Sequence, residues 1–317
     1  MRERTIGVLS ILASAVFFAV ATVGVKYATR TGEASAVHVA MARFIIGFLM
    51  TLPLVLRRPE LLRPKSVTWV SLRAIANVAA VFLFFFGIQY TSVSKANLLN
   101  MTYPVFVFVL SPFVTRERAK PVTILLLVIT MIGVWNVVRP ADLSSITDFA
   151  AGDILSFGSA IVAGFAIAVL RRARATDTST TIVFYVMVLG LLANVGIVVG
   201  LPLPAPRFLL FAAAAGLSGA LGQVTLTIGF AHVSAQAGSL LSTSRILIAV
   251  VLGVLLFGDV ITGRTIIGAV LIVGSLIATS TVDRGKLRRP PDSDDTAEAD
   301  GANRLNDADD HETGAGP

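Results

Sequence analysis

The chain has 317 residues, of which 55% are hydrophobic and only 14% are charged. A soluble domain carries about 25% charged residues, so this composition excludes an ordinary soluble fold and indicates an integral membrane protein. The chain contains no cysteine, which excludes disulfides and cysteine-bound metals, and its three histidines are too few for an ordinary zinc site. We therefore expect no metal site.

Apolar stretches long enough to cross a bilayer recur along the chain. A transmembrane helix needs about 20 predominantly apolar residues, and short loops marked by proline or by charge separate the candidates. A secretory signal peptide at the N-terminus is disfavoured, because the first apolar run continues to Val25. The sequence predicts ten transmembrane helices, called spans 1–10 below, at 6–26, 36–56, 70–90, 94–114, 121–139, 151–170, 181–200, 208–229, 236–257 and 263–282.

The net charge of +7 arises from the loops and predicts an orientation. Residues 1–282 carry 21 Lys and Arg against 9 Asp and Glu, whereas residues 283–317 carry 5 against 10. With the N-terminus in the cytoplasm, 16 basic residues of the loops and termini fall on the cytoplasmic side and 6 on the other. The positive-inside rule then predicts two cytoplasmic termini, which requires an even number of spans. The acidic segment after the last span is predicted to be disordered, since it has almost no large apolar residues.

The chain contains an internal repeat at an offset of 142 residues. Phe86–Ser92 aligns with Ile228–Ser234, and Ala96–Asn100 aligns with Gly238–Ser242. A unit of five spans that is repeated in tandem enters the membrane from opposite sides in its two copies. The sequence therefore predicts an all-α protein built from two inverted five-helix repeats, with a substrate site near the midplane between them. The predicted divisions are 1–140 for the first repeat, 141–282 for the second repeat and 283–317 for the disordered tail.

Several short motifs resemble one known family. Gly87–Ala96, Pro104 and Glu117-Arg118 are similar to the EamA domain of the drug/metabolite transporter superfamily, as are Arg43-Phe44 and Gly152-Asp153. The resemblance implies a ten-helix bundle whose central cavity is lined largely by spans 3, 4, 8 and 9, with parts of spans 1 and 6. It does not imply one substrate, because similar proteins move amino acids, sugars, nucleotide derivatives, cofactors and drugs.

Two arginines, but no acidic residues, lie well inside the predicted spans. They are Arg43 in span 2 and Arg245 in span 9. An ionisable residue at membrane depth costs about 2.5–3.5 kcal/mol on insertion scales and indicates function. Arg245 is expected to bind a carboxylate or phosphate through paired hydrogen bonds, although it could instead hold helices together through backbone carbonyls. Arg43 could contact the substrate or extend outward to the membrane surface.

The other candidate binding residues are polar side chains in spans 3, 4, 8 and 9. Those of span 9 are spaced three residues apart and share one helix face, and their repeat equivalents lie on span 4. Those of spans 3 and 8 could instead form hydrogen bonds between helices, and Pro104 predicts a kink in span 4. The full set is Asn97, Asn100 and Tyr103 on span 4, Ser239, Ser242 and Arg245 on span 9, Gln223 on span 8, Asn77 on span 3, and Arg43 on span 2.

These features predict a transporter rather than an enzyme. We expect a secondary-active or facilitative carrier, an exporter or exchanger, that moves a small amino-acid-like or anionic metabolite by alternating access. Since no carboxylate lies at the midplane for coupling to protons or Na⁺, exchange or facilitated efflux is favoured. The chain lacks a P-loop and the usual catalytic sets, so neither a catalytic residue nor a cofactor is expected.

The expected setting is a bacterial cytoplasmic membrane, with the substrate and the lipid bilayer as partners, no nucleic acid, and possible homodimers. The alternatives are a non-transporting membrane sensor or structural protein and a membrane-embedded enzyme.

Overall fold

The structure is a computed structural model that describes residues 2–30, 36–91, 93–138, 151–198, 206–258 and 260–282. The predicted tail lies outside the described residues. Those residues contain no β-strand and form one short 3-10 turn, Pro59–Leu62, and twelve α-helices. The helices are α1 (Arg2–Arg30), α2 (Ala36–Arg57), α3 (Val67–Tyr90), α4 (Val93–Asn100), α5 (Tyr103–Val114), α6 (Pro121–Val138), α7 (Ala151–Ala173), α8 (Ser179–Val198), α9 (Pro206–Gly229), α10 (Ala235–Ser242), α11 (Ser244–Phe257) and α12 (Gly263–Val282).

Ten segments of this described chain are long and apolar enough to cross a membrane, which agrees with the predicted count. Spans 4 and 9 each consist of two helices, α4 with α5 and α10 with α11, and every other span is a single helix. Large apolar side chains point away from the bundle, with Phe113, Leu210 and Leu255 exposed to 81%, 74% and 72%. Such a surface is unfavourable in water and suits lipid. The chain is an all-α, multi-pass membrane protein.

Contacts between spans 2 and 7 show that the two halves are inverted. Phe44 lies against Gly190, and Gly47 lies against Met187. In spans 2 and 7 the equivalent residues are 143 positions apart, one more than in spans 4 and 9, so each pair exchanges partners as in a two-fold symmetric contact. The earlier residue of span 2, Phe44, contacts the later residue of span 7, Gly190, and Gly47 contacts the earlier residue, Met187. These equivalent helices therefore run antiparallel. The division near residue 140 stays a prediction, because 139–150 lie outside the described residues.

Two glycine crossings repeat the same geometry elsewhere in the bundle. Span 3 packs chiefly on span 6, and span 8 packs chiefly on span 1. At the first crossing Gly87 lies against the Gly152 carbonyl and Ser156, and at the second Gly229 lies against the Gly7 carbonyl and Ile11. A glycine allows the backbones to approach this closely. The pairing of span 3 with span 6 and of span 8 with span 1 is what a pseudo-two-fold axis between the halves requires.

Both spans with a broken helix are interrupted at equivalent positions. The first helix of span 4 is Val93–Asn100, and the first helix of span 9 is Ala235–Ser242, exactly one repeat offset of 142 residues later. In each span the chain then makes a tight turn with hydrogen bonds to the third residue back, from the Thr102 amide to Leu99 and from the Thr243 amide to Leu240. Discontinuous spans at corresponding positions of two inverted repeats are a feature of transporter substrate sites.

The two interruptions differ in sequence. In span 4 the break precedes Pro104, which has no amide hydrogen to donate and so leaves the carbonyl one turn earlier without a helical partner. This break lies where proline predicted a kink. Span 9 has Ile246 at the equivalent position, and there the hydroxyls of Ser242 and Thr243 donate to the carbonyls of Gly238 and Leu240, at 2.8 and 2.6 Å. Hydroxyl bonds of this kind bend helices.

Candidate functional site

The centre of the bundle holds a contact between two equivalent residues, Tyr103 of span 4 and Arg245 of span 9. The Arg245 guanidinium carbon lies 5.5 Å from the centroid of the Tyr103 ring, a cation–π distance. The Tyr103 hydroxyl donates to the Ser239 carbonyl at 3.2 Å, which joins the two interrupted spans. Residues related by a two-fold axis can touch each other only beside that axis. Arg245 and Tyr103 therefore lie midway between the two repeats.

The guanidinium of Arg245 has weak partners. One of its terminal nitrogens lies 3.3 Å from the Met101 sulfur, which is a poor hydrogen-bond acceptor. Its Nε atom is buried and has no hydrogen-bond partner in the described part of the chain. The alternative in which Arg245 holds helices together through backbone carbonyls finds no support in these contacts. A charge partnered only by a thioether and a ring face retains most of its capacity to bind an oxyanion.

The predicted polar stripe on span 9 is divided by the helix interruption. Ser239 and Ser242 precede the break, whereas Arg245 follows it. The Ser239 hydroxyl donates to the Gln236 carbonyl at 2.7 Å, and the Ser242 hydroxyl also donates to its own helix. Their hydrogens are therefore committed to backbone, and the two oxygens can offer only lone pairs. Both side chains are buried.

On span 4 the predicted residues lie between the axis and span 6. The Asn100 amide donates to the Ser159 hydroxyl of span 6 at 2.8 Å. Asn97, one turn earlier, is half-buried. Asn100 therefore connects the last turn of α4 to span 6, which is a contact between the two repeats.

Arg43 extends into the bundle rather than outward. Its aliphatic chain passes Gly219, and its guanidinium donates to the Gln223 side-chain oxygen at 2.8 Å. The guanidinium carbon also lies 5.4 Å from the Phe18 ring centroid. Spans 2 and 8 run parallel here, since Val39 packs on Phe208 and Ala212 near their N-terminal ends. The reading in which Arg43 extends to the outer membrane surface was wrong, because the favourable partner lies deeper along span 8.

Arg73 of span 3 is a buried charge that the predicted set did not contain. It is 2% exposed and has neither a hydrogen bond nor an ion pair in the described chain. Asn77, one turn further along span 3, has a buried amide nitrogen that also lacks a partner there. A signal was present in the sequence: Arg73 lies six residues inside α3 with no acidic residue three or four positions away.

A charged network joins elements of the two repeats at one end of the bundle. Glu117, in the loop after span 4, pairs with Arg171 of span 6 at 3.0 Å and accepts a hydrogen bond from the Ala235 amide at 3.0 Å. The Gln236 side chain donates to the Glu117 carbonyl at 3.1 Å. We call these four residues the Glu117 clamp. They join the first repeat to the second, and the carboxylate lies at the N-terminus of span 9, where the helix dipole favours it.

A buried ion pair joins the repeats at the opposite end. The ammonium of Lys95, in the first turn of span 4, lies 2.7 Å from the carboxylate of Asp153, in the first turn of span 6. The Thr91 hydroxyl donates to the same carboxylate at 2.7 Å.

The EamA-like transporter family model matches this chain twice, at residues 5–139 and 150–281. The chain belongs to the EamA-like transporter family. The similar proteins include human Solute carrier family 35 member G1, 26% identical over 87% of this chain and 79% of that protein. They also include the Pseudopaline exporter CntI of Pseudomonas aeruginosa, 28% identical over 88% of this chain and 97% of that one. A solved crystal structure has the same fold, with a TM-score of 0.73 at 19% identity over 89% of this chain and 98% of that one.

Membership makes this EamA-like protein a transporter of the drug/metabolite transporter superfamily, as the sequence motifs predicted. A membrane setting and a small-molecule substrate follow from the same membership. The family and the relatives point to transport and not to catalysis.

Proposed function

We propose that this EamA-like transporter carries a small organic anion by alternating access, and that Arg245 binds the anionic group of the substrate. The observation that supports the proposal most is the position of Arg245 beside the pseudo-two-fold axis, just after the interruption of span 9. A residue on that axis is equally distant from the two membrane faces. It can therefore be exposed to either side when the repeats rock against each other.

The residues around Arg245 have distinct proposed roles. Tyr103 orients the guanidinium by lying under it, and its hydroxyl, held by the Ser239 carbonyl, keeps the ring in place. Asn97 and Asn100 offer amide groups from span 4, and Ser239 and Ser242 offer hydroxyl oxygens from span 9. Gln223, Arg43 and Asn77 extend the polar surface to spans 8, 2 and 3. An amino-acid-like substrate would place its carboxylate on Arg245 and its amine on these oxygens.

The proposed mode is exchange or facilitated diffusion. No acidic residue in the described chain lies more than one turn inside a span, so the usual carboxylate for coupling to protons or Na⁺ is missing from that part. A pH gradient that by itself drives uptake into proteoliposomes would contradict this mode. The proposed setting is a bacterial cytoplasmic membrane with both termini in the cytoplasm, as the loop charges favour. Outward transport is supported by the name of one relative, an exporter, and a homodimer stays a prediction.

The test combines binding with flux. Purified protein is screened by thermal shift against anionic, zwitterionic and neutral metabolites, and compounds that stabilise it are assayed by counterflow in proteoliposomes. Arg245→Ala should abolish stabilisation by anions, whereas Arg245→Lys, which keeps the charge but not the paired hydrogen bonds, should retain a weakened response. Arg57→Gln, a change in an exposed loop-side arginine, is the matched control.

Two results would contradict the proposal. If anions stabilise the wild type and Arg245→Ala equally, Arg245 does not bind them. If ligands stabilise the protein but no counterflow occurs, a non-transporting sensor becomes the better description.

A further inference from the structure

We propose that Arg43 of span 2 and Gln223 of span 8 together bind a small monovalent anion, chloride, where the two spans meet. The two side chains are joined by one hydrogen bond, from the Arg43 guanidinium to the Gln223 side-chain oxygen at 2.8 Å. The proposal goes beyond the proposed function, because it concerns a bound ion and not the transported substrate, and it does not depend on Arg245.

Both side chains keep hydrogen-bond donors that the described chain does not use. Arginine has only donors, so the amide oxygen of Gln223 must face Arg43, and the amide nitrogen is left to another acceptor. That nitrogen and the Arg43 Nε atom are buried, and neither has a hydrogen-bond partner in the described chain. Buried donors without an acceptor are unfavourable, and an anion bound between these two side chains would supply one.

No acidic residue of the described chain neutralises Arg43. Its hydrogen bond goes to a neutral amide, and the ring centroids of Phe18 and Phe44 lie 5.4 and 5.9 Å from its guanidinium carbon. Aromatic rings attract a cation weakly compared with the cost of burying an uncompensated charge. A single negative ion would compensate it. The described acidic residues all lie in loops or in the first turn of a helix: Glu3, Glu60, Glu117, Asp153 and Asp177.

Glycines of span 8 form a groove that holds the Arg43 side chain. A Cβ atom at Gly216 would lie 2.8 Å from the Arg43 backbone nitrogen, and one at Gly219 would lie 2.9 Å from the Arg43 Cδ atom. The side chain therefore runs along span 8 from the level of Gly216 to that of Gln223, which is about two helical turns further on. The groove fixes the guanidinium beside the Gln223 amide.

The equivalent contact in the bundle, between spans 7 and 3, has valine at both positions. Arg43 corresponds to Val186 at the offset of 143 residues, and Gln223 corresponds to Val81 at the offset of 142. Spans 3 and 7 nevertheless pack against each other. The fold therefore does not require a polar pair at this contact, and packing alone does not explain a charge at this depth.

The surroundings favour a small ion over an organic one. Gln223 is 1% exposed, and the Phe18 and Phe44 rings border the guanidinium, so the space beside the unused donors suits an ion without a hydrocarbon frame. Arg43 contributes one positive charge, which one chloride balances. A sulfate or phosphate dianion would leave negative charge buried without a partner.

The test is a chloride titration of the purified full-length protein. Chloride replaces gluconate at constant ionic strength, and binding is measured by thermal shift and by calorimetry. The wild type should be stabilised by chloride in a saturable manner. Absence of a saturable chloride response would overturn the proposal.

The variant Gln223→Glu supplies a negative charge within the protein itself. Its carboxylate would replace an amide that already accepts from Arg43, so the two should form an ion pair. The chloride affinity should then fall at least about tenfold, because the cation no longer needs an external partner. The part of the response that this variant removes should be at least about tenfold tighter for chloride than for acetate. Equal chloride responses in the wild type and in Gln223→Glu, or an acetate preference, would contradict the assignment.

A second variant keeps the test decisive if Gln223→Glu does not fold. The double change Arg43→Val and Gln223→Val copies the contact between spans 7 and 3 and should abolish chloride binding; retained binding would overturn the proposal. Arg57→Gln removes an exposed positive charge and should keep the chloride response. Arg245→Ala should also keep it while losing stabilisation by anionic metabolites, so failure of this proposal and failure of the proposed function give different results.

Discussion

Removal of the Glu117 carboxylate should release one end of the transporter. In the Glu117 clamp the carboxylate bonds Arg171 and the Ala235 amide, both of which belong to the second repeat, while Glu117 belongs to the first. A conformation that opens this end must separate those groups. Glu117→Ala should therefore raise the population of the state that is open at this end. The contact between Tyr103 and Arg245 beside the pseudo-two-fold axis should not change.

The magnitude follows from the two bonds. The ion pair with Arg171 is partly exposed, since the Glu117 side chain is 26% accessible, and such pairs contribute up to about 1 kcal/mol. The bond to the first amide of span 9 is a carboxylate cap, which contributes about 1 kcal/mol. Arg171 keeps its bonds to the Phe230 and Ala231 carbonyls at 3.3 Å, so its charge is not left alone. Loss of both bonds should destabilise the closed state relative to the open state by about 2 kcal/mol, which changes the ratio of their populations about 30-fold.

The chain contains no cysteine, so a single reporter thiol can measure the opening. Ser239 is 0% exposed and lies one turn inside the clamp, and Ser239→Cys is a small change. The rate of maleimide labelling of this thiol should rise about 30-fold in Glu117→Ala if opening is fast compared with labelling. Glu60→Ala removes an exposed carboxylate from the loop between spans 2 and 3 and is the control. Equal labelling rates with and without the Glu117 carboxylate would refute the view that the clamp holds this end closed.

Three further changes test other parts of the structure. A methyl group at Gly152 would lie 2.5 Å from the Gly87 carbonyl oxygen, so Gly152→Ala should destabilise the protein by about 1–3 kcal/mol in thermal unfolding, whereas Gly158→Ala, with nothing within 4 Å, should have little effect. Asp153→Asn leaves the buried ammonium of Lys95 without its carboxylate and should cost about 3–5 kcal/mol, much of which the additional change Lys95→Met should restore. Removal of residues 283–317 should leave the counterflow rate unchanged, since their composition cannot contribute to a packed core; a clear loss of transport would indicate a regulatory tail.

The helix count and the inverted topology were predictable from the sequence. Lipid imposes a nearly fixed length on each apolar stretch, and the loop charges require an even number of stretches. The repeat added the antiparallel relation that the Phe44–Gly190 and Gly47–Met187 contacts display. The least accurate feature was the helix end: span 6 was predicted to end at residue 170, and its helix continues to Ala173. Charged residues near a membrane surface can extend a helix beyond the apolar stretch, and hydropathy does not record that.

The polar contacts were only partly predictable. The kink before Pro104 follows from one residue. The equivalent interruption in span 9 has no proline, and its backward-bonding hydroxyls do not predict a break, because hydroxyls in other helices form the same bonds without one. The inward direction of Arg43 depends on Gln223, 180 residues away. Hydrogen bonds between residues so far apart in the sequence depend on the tertiary packing of the helices. The sequence could therefore supply the residue types of the candidate site but not their partners.

The pseudo-symmetry also explains why the candidate site is asymmetric. A residue beside a two-fold axis meets its own equivalent, so two arginines there would face each other and repel. The chain has arginine at 245 and tyrosine at 103, and the ring face attracts the guanidinium by about 0.5–2 kcal/mol. That energy is small compared with the cost of burying an uncompensated charge, so the pair holds Arg245 in position without neutralising it. In the proposed rocking of the two halves, groups on the axis would move least, whereas the Glu117 clamp and the Lys95–Asp153 pair, at opposite ends, would move most. Under that proposal one arginine on the axis would serve both orientations of the carrier, and the ion pairs at the two ends would determine which orientation is open.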